Sequence, residues 1–192
     1  MSIGMAFLLF IYAFFGTGIP FGAGFQPTPR KIINRIFQLC DPKGKVVYDL
    51  GAGFGRVLFE AASAGAALCV GVEADPIKCW WIRREAKRRR MQGIVNIIRA
   101  NLLHIDLSKA DIVFVFLSPA LMKRLKQKVL DEMKPGSIVA SYEHRFKGWE
   151  PETTDAKLKV YIYRIPLKVH SSYYHDNRCS LKDPQKELQS QR

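Results

Sequence analysis

The 192-residue sequence predicts an α/β fold, a doubly wound, mostly parallel sheet with helices on both faces of a single domain. Three observations carry this reading. Apolar, β-branched runs of strand length recur at residues 46–50, 68–73, 95–99 and 111–117, separated by turn residues and helical stretches. The run at 111–117 (Asp-Ile-Val-Phe-Val-Phe-Leu) is almost continuously apolar, as a central strand covered on both faces must be. The composition, 48% hydrophobic and 24% charged, is that of a globular chain and excludes a wholly disordered or collagen-like one. The length suits one domain with a substantial core rather than two.

The elements follow in order. Residues 46–50 form a short strand that ends in a glycine-rich turn, and residues 56–63 have helical composition and stop at Gly65. Residues 68–73 are a second buried strand. Pro76 suits the first turn of a helix running to about Met91. Residues 95–99 are a third strand and 111–117 the fourth. Pro119 opens a helix reaching about Met133, which Lys134-Pro135-Gly136 terminates. Residues 137–142 and 159–165 read as further strands. The stretch from His170 onward is polar, so residues 169–192 read as a disordered tail and 26–168 as the folded domain. Cys40, Cys69, Cys79 and Cys179 show no metal-ligand spacing, which argues against a metal centre and against a disulfide scaffold.

Charge divides the chain. The formal net charge is +13, yet the first 29 residues carry no charged side chain. Residues 5–15 would rise only about 16 Å as a helix, whereas 3–21 would reach about 28 Å, close to a bilayer core. Pro20 and the glycines at 16, 18, 22 and 24 weaken the end of that stretch. A membrane anchor over residues 1–25 is the favoured reading. A packed apolar arm and a cleaved secretory signal are the alternatives, the latter lacking a basic start and a small-x-small cleavage site. Arg30, Lys31 and Arg35 follow directly, so an anchored domain is expected on the cytoplasmic side. The bases Arg83, Arg84, Lys87, Arg88, Arg89 and Arg90 would then lie near an anionic membrane surface.

The turn after the first strand reads Asp49-Leu50-Gly51-Ala52-Gly53-Phe54-Gly55-Arg56. Glycines between strand and helix let a ligand approach backbone that a Cβ would block, and they set a helix N-terminus against it. Arg56 stands where a dinucleotide fingerprint needs glycine, and no Lys-Ser/Thr pair follows as in a P-loop. Asp49, two residues before Gly51, disfavours a pyrophosphate and suits a ligand with positive charge. Glu73 ends the second strand 22 residues after Gly51, where a carboxylate accepts two hydrogen bonds from ribose hydroxyls. A ribose with a cationic tail is the outline of S-adenosylmethionine.

Asp49 to Gly55 and Val72-Glu73 resemble the first two motifs of the class I, Rossmann-like S-adenosylmethionine-dependent methyltransferases. Three further pieces resemble the small archaeal protein lysine methyltransferases and the ATP-synthase c-subunit lysine methyltransferases: Phe25-Gln26-Pro27-Thr28-Pro29, Phe116-Leu117-Ser118-Pro119, and the stretch from Ser141 to Trp149. The resemblance implies that Gly51, Gly53 and Gly55 line the methionine part of the cofactor, with Asp49 near its amino group. It further implies that Glu73 binds the ribose, that Asn101 and Leu102 border the adenine, and that Thr28 closes the N-terminal side. Leu117, Ser118 and Pro119 would form the rim facing the transferred methyl.

Methyl transfer to a lysine amine needs positioning and an unprotonated nucleophile. Leu117, Tyr142 and Trp149, with Phe116 and Phe146, could line an apolar channel, and Glu143 could attract the ammonium or accept its proton; ordinary core packing is the competing reading for the aromatics. The marks of other methyl transfers are missing: no (D/N)PP(Y/F) tetrapeptide follows the fourth strand, no cysteine nucleophile stands near it, and no acids cluster for a metal. The expected substrate is a lysine-bearing protein. RNA methylation through the basic helix is a less favoured alternative, and a catalytically silent, membrane-tethered S-adenosylmethionine-binding protein is another.

Overall fold

Among the described residues, seven strands form one sheet in the order β3-β2-β1-β4-β5-β7-β6. The structure, a computed structural model, describes residues 26–167. The expected anchor at 1–25 and the expected tail at 169–192 lie outside the described residues. In chain order the elements are α1 (Arg30–Leu39), β1 (Val46–Leu50), α2 (Arg56–Ser63), β2 (Leu68–Glu73), α3 (Pro76–Arg88), β3 (Val95–Arg99), a 3-10 turn (Leu102–His104), β4 (Ile112–Val115), α4 (Pro119–Glu132), β5 (Ile138–Tyr142), β6 (Thr153–Asp155) and β7 (Val160–Arg164).

β1 pairs in parallel with both β2 and β4, β2 with β3, and β4 with β5. β7 runs antiparallel to β5 and β6. The chain therefore winds outward from β1 to β3, then returns to lay β4 on the other side of β1. Loops leaving β1 and β4 diverge there and open a crevice at the carboxyl ends of the strands.

Alternation along the strands sorts the core into two layers. Val47, Cys69, Ile112 and Phe114 face α1, α2 and α3, meeting Ile32, Ile36, Leu58 and Ile82. Tyr48, Val70, Val113 and Val115 face the other way, under Met122, Leu125 and Val129 of α4 and beside Phe146 and Tyr163. All four residues of β4 are buried, as its composition requires. Cys40, Cys69 and Cys79 are buried free thiols, and burial pushes Cys40 and Cys69 up to about 12.

β4, β5 and β7 are one to three residues shorter than the sequence reading, and two further features differ from it. α3 ends at Arg88 rather than near Met91, because Arg90 turns into the left-handed region (φ 58°). The Arg90 and Met91 N–H groups then donate back to the Lys87 and Ala86 carbonyls at 3.1 and 2.8 Å, closing the helix. β6 is a three-residue edge strand with two exposed threonines and no apolar pattern to announce it. Among the described residues no helix is long and apolar enough to cross a membrane.

Gly71, paired with Asp49 in the sheet, lies under Leu58 of α2. A Cβ there would lie 2.6 Å from Leu58 Cδ1, 2.8 Å from Ile97 Cδ1 and 3.1 Å from Ala52 Cβ. Gly71→Ala is therefore expected to cost about 1–3 kcal/mol through overpacking, read as a lower urea midpoint at unchanged slope.

Candidate active site

The carboxyl ends of β1, β2, β4 and β5 converge on a cavity of about 1040 Å³, at the upper limit of the usual range of small-molecule sites. Gly51 and Gly53 line it. The Gly51 and Ala52 N–H groups both donate to the Val72 carbonyl (2.8 and 3.0 Å), bending the chain sharply off β1. A Cβ on Gly51 would stand 3.2 Å from Leu117 Cδ2, and its φ of 87° disfavours any side chain. Gly55 does not line the cavity. It caps α2 at φ 76°, where a Cβ would press on Ile82 at 3.0 Å, so this glycine serves helix packing.

Glu73 lies on the cavity and accepts three backbone hydrogen bonds. Oε2 takes the Gly53 N–H at 2.8 Å, and Oε1 takes those of Ala74 and Asp75 at 2.9 and 3.0 Å. Asp75 then caps α3, accepting from the Ile77 and Lys78 N–H groups. Asn101 and Leu102 border the cavity after β3; Asn101 Oδ1 accepts from the Leu103 N–H at 3.0 Å and so fixes the 3-10 turn. Thr28 closes the opposite side, buried.

Leu117, Ser118 and Pro119 form the wall above β4, and Glu143 faces the cavity from the end of β5. Glu143 has a φ of 65°, a strained value for a non-glycine residue. The surroundings impose it: the Glu143 N–H donates to the Lys159 carbonyl and the His144 N–H to the Tyr142 carbonyl, each at 2.9 Å. The buried Ser141 hydroxyl donates to the His144 carbonyl.

Besides Gly55, three expected site residues stand elsewhere. Asp49 is only 3% exposed and sits beneath the glycine turn, not at a mouth. Burial, and then the charge of Glu73, push its carboxyl up to about 8. Tyr142 does not line the cavity but packs its ring, tilted at 55°, with its centroid 4.7 Å from that of Phe116, which does. Burial and the neighbouring Glu143 carboxylate raise its phenol. Trp149 packs partly buried against the core, with ring centroids 5.4 Å from Phe146 and 4.7 Å from Tyr163. The loop after β5 folds back because the Phe146 N–H donates to the Tyr163 hydroxyl, and this carries Trp149 away from the cavity.

Sequence reasoning missed Arg56, Asp75, Lys78 and Arg124, all of which line the cavity. Arg56 donates to the Thr28 carbonyl at 3.0 Å and so ties the chain before α1 to the glycine turn. Its position in the glycine motif was the available signal. Lys78 is buried with Nζ 3.7 Å from Asp75 Oδ2; helical spacing alone gives no hint of that. Among the described residues no group of three or more His, Cys, Asp or Glu side chains could hold a metal.

A family model described as the ANTKMT methyltransferase domain matches residues 49–153, more than half of the chain. The chain belongs to this methyltransferase family. A protein-lysine N-methyltransferase of Saccharolobus islandicus (strain REY15A) is 31% identical over 149 residues, covering 73% of this chain and 92% of that one. An ATP-synthase c-subunit lysine N-methyltransferase of Rattus norvegicus is 30% identical over 127 residues, 66% of this chain but only 58% of its own length. Among solved structures, an RNA methyltransferase from Salinibacter ruber in complex with S-adenosyl-L-homocysteine superposes with a TM-score of 0.71 at 31% identity, over 75% of this chain and 96% of that chain.

The protein is thus a methyltransferase of the S-adenosylmethionine-dependent class, and its cavity fits that cofactor. Bare backbone at Gly51 permits close approach, the Glu73 carboxylate ends β2 where ribose hydroxyls need an acceptor, and the volume accommodates a nucleoside with its amino-acid tail.

Asp49 gives this methyltransferase a pH signature. Its carboxyl releases its proton near pH 3.8 as the unperturbed group but only near 8 when folded. Between those values the unfolded chain alone is ionised, so this residue costs stability progressively as pH rises. Asp49→Asn removes that cost. The gain in unfolding free energy of the variant over the wild type is expected to grow from pH 5 to pH 8 in urea titrations; a gain that does not change with pH would mean that Asp49 is already ionised in the fold.

Proposed function

We propose that this methyltransferase acts on the side-chain amine of lysine in proteins. The observation that carries the reading is Glu143: a carboxylate held in a strained turn on the same cavity as the glycine turn and Glu73. Support comes from the Saccharolobus islandicus relative, a protein-lysine N-methyltransferase of which this chain covers 92%.

In this reading Gly51 and Gly53 hold the methionine part of the cofactor, Glu73 the ribose hydroxyls, Asn101 and Leu102 the adenine, and Thr28 the N-terminal side. When bound, S-adenosylmethionine supplies an electrophilic methyl group on a sulfonium. Leu117, Ser118 and Pro119 present the apolar wall along which the lysine enters, with Phe116 behind them. Glu143 draws in the ammonium and accepts its proton, since the amine must be neutral to attack and its ordinary pKa is about 10.4. Ordering Glu143 before substrate arrives saves that cost at the moment of reaction.

The decisive experiment supplies tritiated methyl donor to the full chain with protein and with RNA fractions. Label in protein, recovered as methyllysine, is expected; label confined to RNA would overturn the reading. Glu143→Gln should lower kcat roughly 10²-fold while leaving cofactor affinity within about twofold. Raising the pH toward the lysine pKa should restore part of that loss, because solvent then removes the proton. Glu73→Ala should instead weaken cofactor binding by about tenfold or more in calorimetric titration, as loss of charge-assisted hydrogen bonds predicts.

A further inference from the structure

The outer face of α3 combines features that the cavity does not use. The helix buries Lys78, Cys79, Ile82 and Ala86. It leaves Trp80 54% and Trp81 44% exposed, two adjacent indoles in contact with water. The following turns expose Arg83, Arg84, Lys87, Arg88 and Arg89, with Arg90 just beyond. Glu85, the helix's single acid, is engaged by Arg88 and Arg89, each at 2.6 Å. Arg83 donates to the Ile97 carbonyl at 3.3 Å. Arg84, Lys87 and Arg90 form no ion pair with the described residues. One end of the face is therefore aromatic and the other carries uncompensated positive charge.

We propose that this face docks on an anionic lipid bilayer, with Trp80 and Trp81 at headgroup depth and Arg84, Lys87 and Arg90 against the lipid phosphates. Indole rings are amphipathic and favour that depth, and a basic surface with neighbouring aromatics binds anionic lipid through both buried area and charge. Charge complementarity favours an anionic partner for a chain of net charge +13. The ring geometry favours lipid over RNA. Stacking of bases needs free ring faces, whereas the Arg84 guanidinium lies over the Trp80 ring at 5.6 Å. Trp81 meets Phe54 edge to face at 6.1 Å, and Phe54 lines the cavity. Docking through the indoles thus brings the glycine-turn side of the cavity close to the bilayer. The proposal stands independently of the lysine assignment.

Its test uses tryptophan fluorescence of the full chain with vesicles of phosphatidylcholine and phosphatidylglycerol whose acyl chains carry bromine. The chain has three tryptophans, and Trp149 is only partly buried against the core, so the measurements are made in a Trp149→Phe background, where quenching reports Trp80 and Trp81. Reading quenching rather than co-sedimentation keeps any attachment through residues 1–25 from counting. Strong quenching is expected on anionic vesicles, with little on pure phosphatidylcholine. Each base is worth about a fivefold change in affinity near an anionic leaflet, so the triple variant Arg84→Gln, Lys87→Gln, Arg90→Gln should need about a hundredfold more anionic lipid for half-quenching. A thermal melt matching the wild type checks its fold, and Arg84→Gln alone, with an expected shift of about fivefold, serves if the triple variant is unstable. Absent quenching on anionic vesicles, or quenching that the substitutions do not move, would overturn the proposal. So would tight binding of a single-stranded RNA, lost in the triple variant, without any lipid quenching.

Discussion

The Glu73 carboxylate joins two turns that would otherwise be separate loops. By accepting from Gly53, Ala74 and Asp75 it fastens the glycine turn after β1 to the turn that starts α3. The wall of the cavity and the first turn of the basic helix are therefore set by one side chain. The sheet makes this attachment productive. β1 and β2 run parallel, so their carboxyl ends arrive together, and the return of the chain to β4 on the far side of β1 leaves the crevice open above them. Charge-assisted hydrogen bonds to backbone N–H groups are among the stronger polar contacts a fold can make, which suits a point on which two walls depend.

Much of this was legible in the residues. β1, α2, β2 and β3 have the bounds read from the sequence, because β-branched runs and glycine stops define them locally. Gly51, Gly53 and Glu73 were legible in the glycine turn and the strand end beside it, whereas Asn101, Leu117, Ser118 and Glu143 came through the segments that carry the family resemblance; all seven line the cavity. What was hidden depends on tertiary direction. Asp49 lies within β1, a strand covered on both faces, so its carboxyl is buried beneath the turn whichever way it points. Trp149 looked like any aromatic near the site until the Phe146–Tyr163 hydrogen bond turned its loop. Arg56 and Lys78 are polar residues on helices, which patterning assigns to solvent, while the cavity claims both. β6 is held by pairing with β7 and has no pattern of its own.

The two faces of the sheet are covered unequally. Three helices pack against one layer of the core. The other layer has α4, the segment around the 3-10 turn, and the loop that runs from Glu143 past Trp149. A loop in that position must supply apolar mass that a helix supplies elsewhere, and Phe146 and Trp149 do so against Tyr163.

That substitution merges two roles usually kept apart. The segment that presents Glu143 to the cavity is also a structural layer of the domain, so it has little freedom to act as a moving gate. Opening it would expose the aromatic cluster and cost core stability. The approach to this carboxylate is accordingly bounded on one side by residues that also pack the domain. Substitution in the loop is constrained by the packing of Phe146 and Trp149 a few residues beyond the carboxylate.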